Sequence, residues 1–342
     1  LSVRPEPLLA VRQLKVQHRL RPMRPWAPAV VLRAVDEINF NLMPGETLGL
    51  VGESGSGKST LARALVGLNP IAAGSARFQG RELAGLDANA WRTLRRDIQM
   101  VFQDPQTSLD PRMRIVEIVA EPLDYLAPEL GRDARRHRAA ETLERVGIDA
   151  PLHARYPHEL SGGQCQRVGI ARALVVRPRL LICDEAVSAL DVSVQAQVID
   201  LLMALQRDSG LSMLFITHDL AVARQISDRV MVMYFGRVME QARADVLFEQ
   251  PRHPYTKALL ASVPGTDHAL RRQLLLAGES PDLSVPASGC AFVTRCPMAD
   301  EQCTRRIPPV QRLDDGAAVA CHYVAGAQNW SVSRSAPEQR GL

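Results

Sequence analysis

Residues 52–60, "GESGSGKST", have the types and spacing to hold a triphosphate. They fit Gly-x-x-x-x-Gly-Lys-Ser, follow the apolar run "LGLV" and open a segment with helical apolar spacing. Gly52, Gly55 and Gly57 let the backbone curl so that successive N–H groups face phosphate oxygens, and Glu53, Ser54, Ser56 and Thr60 complete the loop. The helix that follows adds the positive end of its dipole. Lys58 is expected to reach the β- and γ-phosphates of ATP, and the Ser59 hydroxyl to bind Mg²⁺.

Such a loop needs a carboxylate at the end of a neighbouring buried strand. "LLICDE" supplies Asp184 after four apolar residues, placed to hold Mg²⁺ through water, and then Glu185 as general base for the attacking water. Cys183 within the run reads as a small buried hydrophobe. A second glycine-rich stretch, "LSGGQ" at 160–164, begins a helix with Ser161 as N-cap, so Ser161, Gly162, Gly163 and Gln164 offer a hydroxyl and N–H groups to an anion. The first loop already surrounds its own nucleotide. The second therefore suits the nucleotide of another subunit, which predicts a dimer.

Elements that could position these groups follow from the apolar patterning. Residues 8–17 and 35–43 alternate roughly as antiparallel strands, with a Pro-rich loop between them that contains Trp26. Strands are also predicted before the 52–60 loop, at "LLICDE", at "SMLFITHD" and as a pair in "RVMVMYFGRVMEQ", with helices between. This order predicts an α/β fold: a mainly parallel sheet core, an antiparallel β subdomain, an inserted helical subdomain and a small Cys-containing C-terminal extension. The expected division is 1–103 with 173–250 as an ATP-binding core of RecA-like and antiparallel-β parts, 104–172 as the helical subdomain carrying "LSGGQ", and 251–342 as the C-terminal domain.

The chain has 342 residues, 46% of them hydrophobic but only 4% aromatic, so its core should be built from Leu, Val, Ile and Ala. A net charge of +4 is too small to argue for nucleic acid as a partner. No uninterrupted apolar stretch approaches the ~18 residues of a membrane-spanning helix. No compact apolar core of a secretory signal follows the N-terminal arginines, so a cytosolic protein is expected. Four of the six cysteines, Cys290, Cys296, Cys303 and Cys321, crowd the C-terminal part, and in a reducing compartment they read better as a metal site than as disulfides. Four thiolates suit a [4Fe–4S] cluster or Zn²⁺, but gaps of five, six and seventeen residues lack the paired spacing of common zinc ribbons, so a cluster, zinc or no metal all stay open. His322 beside Cys321 could be a ligand, but it reads better as a supporting or surface residue.

"GESGSGKST", Gln103 in "MVFQDP", "LSGGQ", "LLICDE", Asp191 in "SALD" and His218 in "ITHD" together resemble, in order and spacing, the ATP-binding cassette (ABC) ATPases over roughly residues 8–250. Taken singly, Gln103 could be a strand-end polar residue, His218 a helix cap and Asp191 an N-cap; jointly they match the family. The resemblance implies that two cassettes close head to tail, each ATP lying between one 52–60 loop and the opposite "LSGGQ". It implies that Gln103 touches Mg²⁺ or the lytic water, His218 the γ-phosphate, and Asp191 the partner cassette. The family stacks an aromatic ring on adenine, and Trp26 is the nearby candidate. Cys165 and Ala186 depart from residues frequent in the family, without replacing a chemical group.

"VFQDPQTSLDPRM", "HPYT" at 253–256 and the Cys-containing tail resemble the dipeptide, oligopeptide and nickel importer branch. This implies a sister ATPase subunit more than a homodimer, two transmembrane permease subunits, indirect work with a solute-binding protein, and a peripheral position on the cytoplasmic face of the inner membrane. It also implies an iron–sulfur cluster, which some members carry. A DNA- or ribosome-directed cassette protein would bring two cassettes, a coiled coil or a strongly basic surface, none of which is present. A catalytically dead subunit is disfavoured because Lys58, Gln103, Asp184, Glu185 and His218 are intact.

Overall fold

The structure is a computed structural model that describes residues 6–20, 30–188, 190–262 and 288–324; Trp26 lies outside the described residues. In chain order its strands are β1 (Leu9–Leu20), β2 (Val30–Leu42), β3 (Thr47–Val51), β4 (Ala73–Phe78), β5 (Arg81–Glu82), β6 (Ile98–Val101), β7 (Leu180–Asp184), β8 (Ser212–Ile216), β9 (Arg229–Tyr234), β10 (Arg237–Arg243), β11 (Val310–Arg312) and β12 (Ala318–Ala320). They form a four-stranded antiparallel sheet, β2-β1-β4-β5, and an eight-stranded sheet, β11-β12-β10-β9-β3-β8-β7-β6.

In the larger sheet β9, β3, β8, β7 and β6 run parallel, while β10, β12 and β11 are added antiparallel. Parallel strands must be covered on both faces, and the alternation of side chains shows how. Leu180 and Ile182 of β7 join one core with Leu214 and Ile216 of β8 and the antiparallel sheet. Leu181 and Cys183, with Met213 and Phe215, point the other way into a core shared with the helical segment. One apolar run thus serves two cores. Cys183 is fully buried there, and burial pushes its thiol up to about 12.

Among the described residues no strand lies between β6 and β7. That stretch carries the helices Pro105–Ser108, Ile115–Leu126, Arg132–Arg145 and Gly162–Leu174. No described helix is long and apolar enough to cross a membrane.

The C-terminal residues do more than append to this body. β12 pairs with β10, extending the main sheet, and a third core gathers Tyr234, Tyr255 and Phe292 around Val230 and Val232. The "HPYT" stretch is the brace. Glu240 of β10, fully buried, accepts hydrogen bonds from the Arg252 and His253 backbone N–H groups, each at 2.8 Å. His253 then caps the helix Pro254–Ala261 by accepting from the Tyr255 N–H at 3.0 Å, and burial pulls its imidazole down to about 3, keeping it neutral.

Glu240→Ala leaves two buried N–H donors without acceptors and is expected to cost about 2–4 kcal/mol. Urea unfolding checks this: the midpoint falls with an unchanged slope, and Glu240→Gln, which keeps one carbonyl acceptor, falls less.

Candidate functional site

Parallel strands end on the same side of a sheet, and the carboxyl ends of β3, β6, β7 and β8 form one rim. From β3 issue residues 52–60; from β7, Asp184 and Glu185; from β8, Thr217 and His218; and just past β6, Gln103. The expected neighbour relation needs one correction. β7 is not beside β3, because β8 lies between them.

The loop after β3 is held tightly on its outer side. A Cβ on Gly57, at φ 99°, would stand 2.0 Å from the Ala34 carbonyl oxygen, and one on Gly52 would stand 2.1 Å from that of Met233. Only glycine permits both approaches. The Gly236 N–H donates to the Ser56 carbonyl at 2.8 Å, fixing the loop to the β9–β10 turn. Lys58 begins the helix Lys58–Leu65 and is 4% exposed, its ammonium donating to the carbonyls of Gly52 (2.8 Å) and Glu53 (2.9 Å). Burial draws its pKa below the ordinary lysine value, opposed by Glu185, Asp184 and Glu53.

Across the rim the Ser59 hydroxyl donates to Asp184 Oδ1 at 2.8 Å. Asp184 is 2% exposed, and burial raises its pKa although the Ser59 hydrogen bond opposes the shift. A buried carboxylate beside a hydroxyl is a hard-oxygen donor set that fits Mg²⁺.

Glu185 departs from ordinary backbone geometry, with φ 50°, the left-handed region that a non-glycine residue rarely adopts. Its N–H donates to the Ile216 carbonyl at 3.0 Å. Its carboxylate Oε2 accepts from Gln103 Nε2 at 3.0 Å and lies 3.4 Å from His218 Nδ1. Strained backbone of this kind persists where the surroundings over-determine it. Here the three polar groups that flank an attacking water in the predicted chemistry already touch. Sequence reasoning missed two supports: the Thr217 N–H donates to the Leu50 carbonyl, and its hydroxyl accepts from the Asp219 N–H, which steadies the turn bearing His218.

Among the described residues, "LSGGQ" makes its capping bonds within its own helix and none to this rim. Ser161 caps the helix Gly162–Leu174, its hydroxyl accepting from the Gln164 N–H at 3.3 Å while the Gln164 side chain accepts from the Ser161 N–H at 2.9 Å. Those are intrahelical caps, and Ser161 and Gly162 are exposed. Gly163 packs under Val194 of the helix Val192–Ser209, where an added Cβ would come within 2.4 Å. Asp191 is the N-cap residue of that helix, exposed and without a side-chain capping bond.

Cys290, Cys296, Cys303 and Cys321 line one small pocket with His253, Phe292 and His322. Burial pushes the Cys290 thiol up to about 11 and that of Cys296 up to about 12. Among the described residues, however, no three His, Cys, Asp or Glu groups stand where they could hold a metal ion. His322 is turned to Gln302 and the Arg306 carbonyl. The cysteine spacing thus brings the thiols to one place without setting them around a metal.

Comparison with known proteins bears on this arrangement. Residues 35–188 match the ABC transporter family, and residues 239–303 match the oligopeptide/dipeptide transporter C-terminal region. The oligopeptide transport ATP-binding protein OppF of Salmonella typhimurium is 51% identical over 89% of this chain and 92% of its own length. The chain belongs to the ABC transporter ATPases. OppF of Escherichia coli is 50% identical over the same shares. Among solved ABC cassettes, the dimeric post-hydrolysis state of MJ0796 bound to ADP and phosphate is 28% identical, covers 69% of this chain and 98% of its own, and superposes with a TM-score of 0.62.

As an ABC ATPase, the chain keeps a buried carboxylate at Asp184 at the expense of stability. Its raised pKa means that the folded protein binds the proton more tightly than the unfolded one, so wild-type stability falls as pH rises through that raised value. Asp184→Asn, which still accepts from Ser59, is expected to raise the melting temperature of the nucleotide-free protein by about 2–4 °C. The gain should be larger at a pH above that raised value than at one near the ordinary aspartate value, with Mg²⁺-dependent ATP hydrolysis lost. Scanning calorimetry at the two pH values, alongside a phosphate-release assay, checks both halves.

Proposed function

We propose that this ATPase powers oligopeptide import by closing on ATP together with a sister cassette, each nucleotide gripped by residues 52–60 of one and Ser161–Gln164 of the other. The observation that carries this reading is the joint contact of Gln103 and His218 with Glu185 Oε2, beside Ser59 and Asp184 on the same rim. Backbone N–H groups of residues 52–60 and the Lys58 ammonium bind the β- and γ-phosphates. Lys58 is pre-bent onto its own loop carbonyls, so exchanging those bonds for phosphate oxygens requires little chain movement.

Ser59, Asp184 and Gln103 would hold Mg²⁺, which when bound would supply charge neutralisation on the phosphate oxygens. Glu185 takes the proton of the attacking water, with Gln103 and His218 fixing its carboxylate; His218 also faces the γ-phosphate. Exposed Ser161 and Gly162 address the partner's nucleotide, and exposed Asp191 the partner's surface. The 104–172 segment docks the two permease subunits at the cytoplasmic face of the inner membrane, where a solute-binding protein delivers cargo from the far side. Residues 1–103 with 173–250 act as the ATP-binding core, and 251–342 as a C-terminal domain. The names of the relatives, oligopeptide transport and peptide import ATP-binding proteins, support the cargo class.

The four C-terminal cysteines are read as a thiolate site for a [4Fe–4S] cluster, supported by their sharing one pocket. The thiols must deprotonate and turn inward to ligate. Anaerobically purified protein is expected to show broad visible absorption that dithionite bleaches. Colourless protein with four titratable thiols in this segment and no bound metal withdraws the cluster.

Glu185→Gln is expected to keep ATP affinity, lower turnover at least ~100-fold and leave an ATP-loaded dimer with the sister subunit on size exclusion. Undiminished turnover removes Glu185 as the base. A strictly monomeric ATP-loaded variant in the presence of the sister removes the shared-nucleotide reading.

A further inference from the structure

Two residues of the C-terminal part reach the phosphate loop, and both meet Glu53. Tyr255, fully buried, accepts a hydrogen bond from the Glu53 backbone N–H at 3.0 Å. Arg295 grips the Glu53 carboxylate with both terminal nitrogens, Nη1 to Oε2 at 2.8 Å and Nη2 to Oε1 at 3.1 Å. The pair spans 242 residues of sequence, and the Arg295 side chain is only 11% exposed. Its guanidinium also lies 5.7 Å from the centroid of the Tyr234 ring, and Nη1 stands 3.3 Å from the Tyr234 hydroxyl. A planar fork clamped to a carboxylate and laid on an aromatic face is a geometry that lysine cannot reproduce.

Glu53 is an awkward residue for a loop that must accept a polyanion. Its carboxylate repels phosphate, and its field already acts on Lys58. Left unpaired, it could swing toward Lys58 and compete for the ammonium that the nucleotide needs. Pairing with Arg295 draws the charge outward and cancels it, while Tyr255 holds the adjoining backbone.

We propose that Arg295 is a positioning residue for ATP binding, neutralising Glu53 and holding it away from Lys58, so that the C-terminal part of the chain sets nucleotide affinity. The proposal rests on the reading of residues 52–60 as the phosphate site. Since Arg295 immediately precedes Cys296, whose side chain lines the cysteine pocket, the same contact gives that pocket a short mechanical route to the nucleotide.

The test is titration of the whole chain with a fluorescent ATP analogue plus Mg²⁺, and steady-state hydrolysis in the presence of the sister subunit. Arg295→Ala is expected to weaken nucleotide binding about five- to tenfold and to raise KM by a similar factor, with kcat changed less than about twofold. Adding Glu53→Gln to Arg295→Ala should restore affinity to within about twofold of wild type, because the liability removed is the charge itself. A merely structural contact would lower the melting temperature of Arg295→Ala while leaving the nucleotide affinity of the folded protein unchanged. Affinity unchanged in Arg295→Ala, or a double variant as weak as the single one, overturns the proposal. If Arg295→Ala does not fold, Arg295→Lys with and without Glu53→Gln carries the same comparison, with a smaller loss and the same rescue. Lys58→Ala separates the two levels of failure: if it too leaves affinity unchanged, the reading of the phosphate loop falls; if it alone weakens binding, only the role of Arg295 falls.

Discussion

Parallel strand register is the constraint on which this molecule depends. Because β3, β8, β7 and β6 point the same way and are buried on both faces, their carboxyl ends must share one rim. Chemistry drawn from four separate stretches of chain therefore meets without any long loop reaching across. A slip of one residue in β7 would exchange Leu180 and Ile182 with Leu181 and Cys183 between two cores and carry Asp184 away from Ser59. The geometry of the site is thus protected by the same apolar packing that makes the domain fold.

The rim is also where the structure accepts local cost. Lys58 and Asp184 are buried with their pKa values displaced in the directions that burial dictates, downward for the ammonium and upward for the carboxylate. Glu185 holds a left-handed backbone, and its carboxylate is committed to Gln103 and His218. Each arrangement is unfavourable alone. Together they keep charges and dipoles in fixed orientations, which is the electrostatic preorganisation that the proposed nucleotide site requires. The C-terminal part takes a share in this economy, since the helix cap at His253 seats Tyr255 and the tail supplies Arg295.

Much of this was legible in the amino-acid sequence because local patterns carry it. The glycine loop between an apolar run and a helical period, the Asp-Glu pair closing "LLICDE", and the Ser161 cap are all short-range signals, and the α/β order of elements follows from periodicity. What could not be read has long-range causes. Strand order is one, and β8 separates the two strands that the motif logic set side by side. The Arg295 to Glu53 pair is another, because a single ion pair across hundreds of residues leaves no periodic trace. "HPYT" was visible as a mark of family branch, but its physical task, closing on Glu240 and aiming Tyr255, needed the packing of β10. For the cysteines, spacing conveyed proximity; coordination depends on rotamers and protonation, which spacing does not encode.

The hairpin of β11 and β12 has a bearing on solubility. β12 occupies the side of β10 at Glu240 and Gln241, and β11 then forms the outermost strand, only three residues long and entered through Pro308 and Pro309. Short, proline-guarded borders make poor templates for recruiting further chains. Trimming the protein ahead of Val310 would strip this guard and present the unsatisfied amides of β10 to any neighbour. A shortened cassette would then be prone to clump before it could find its proper companions.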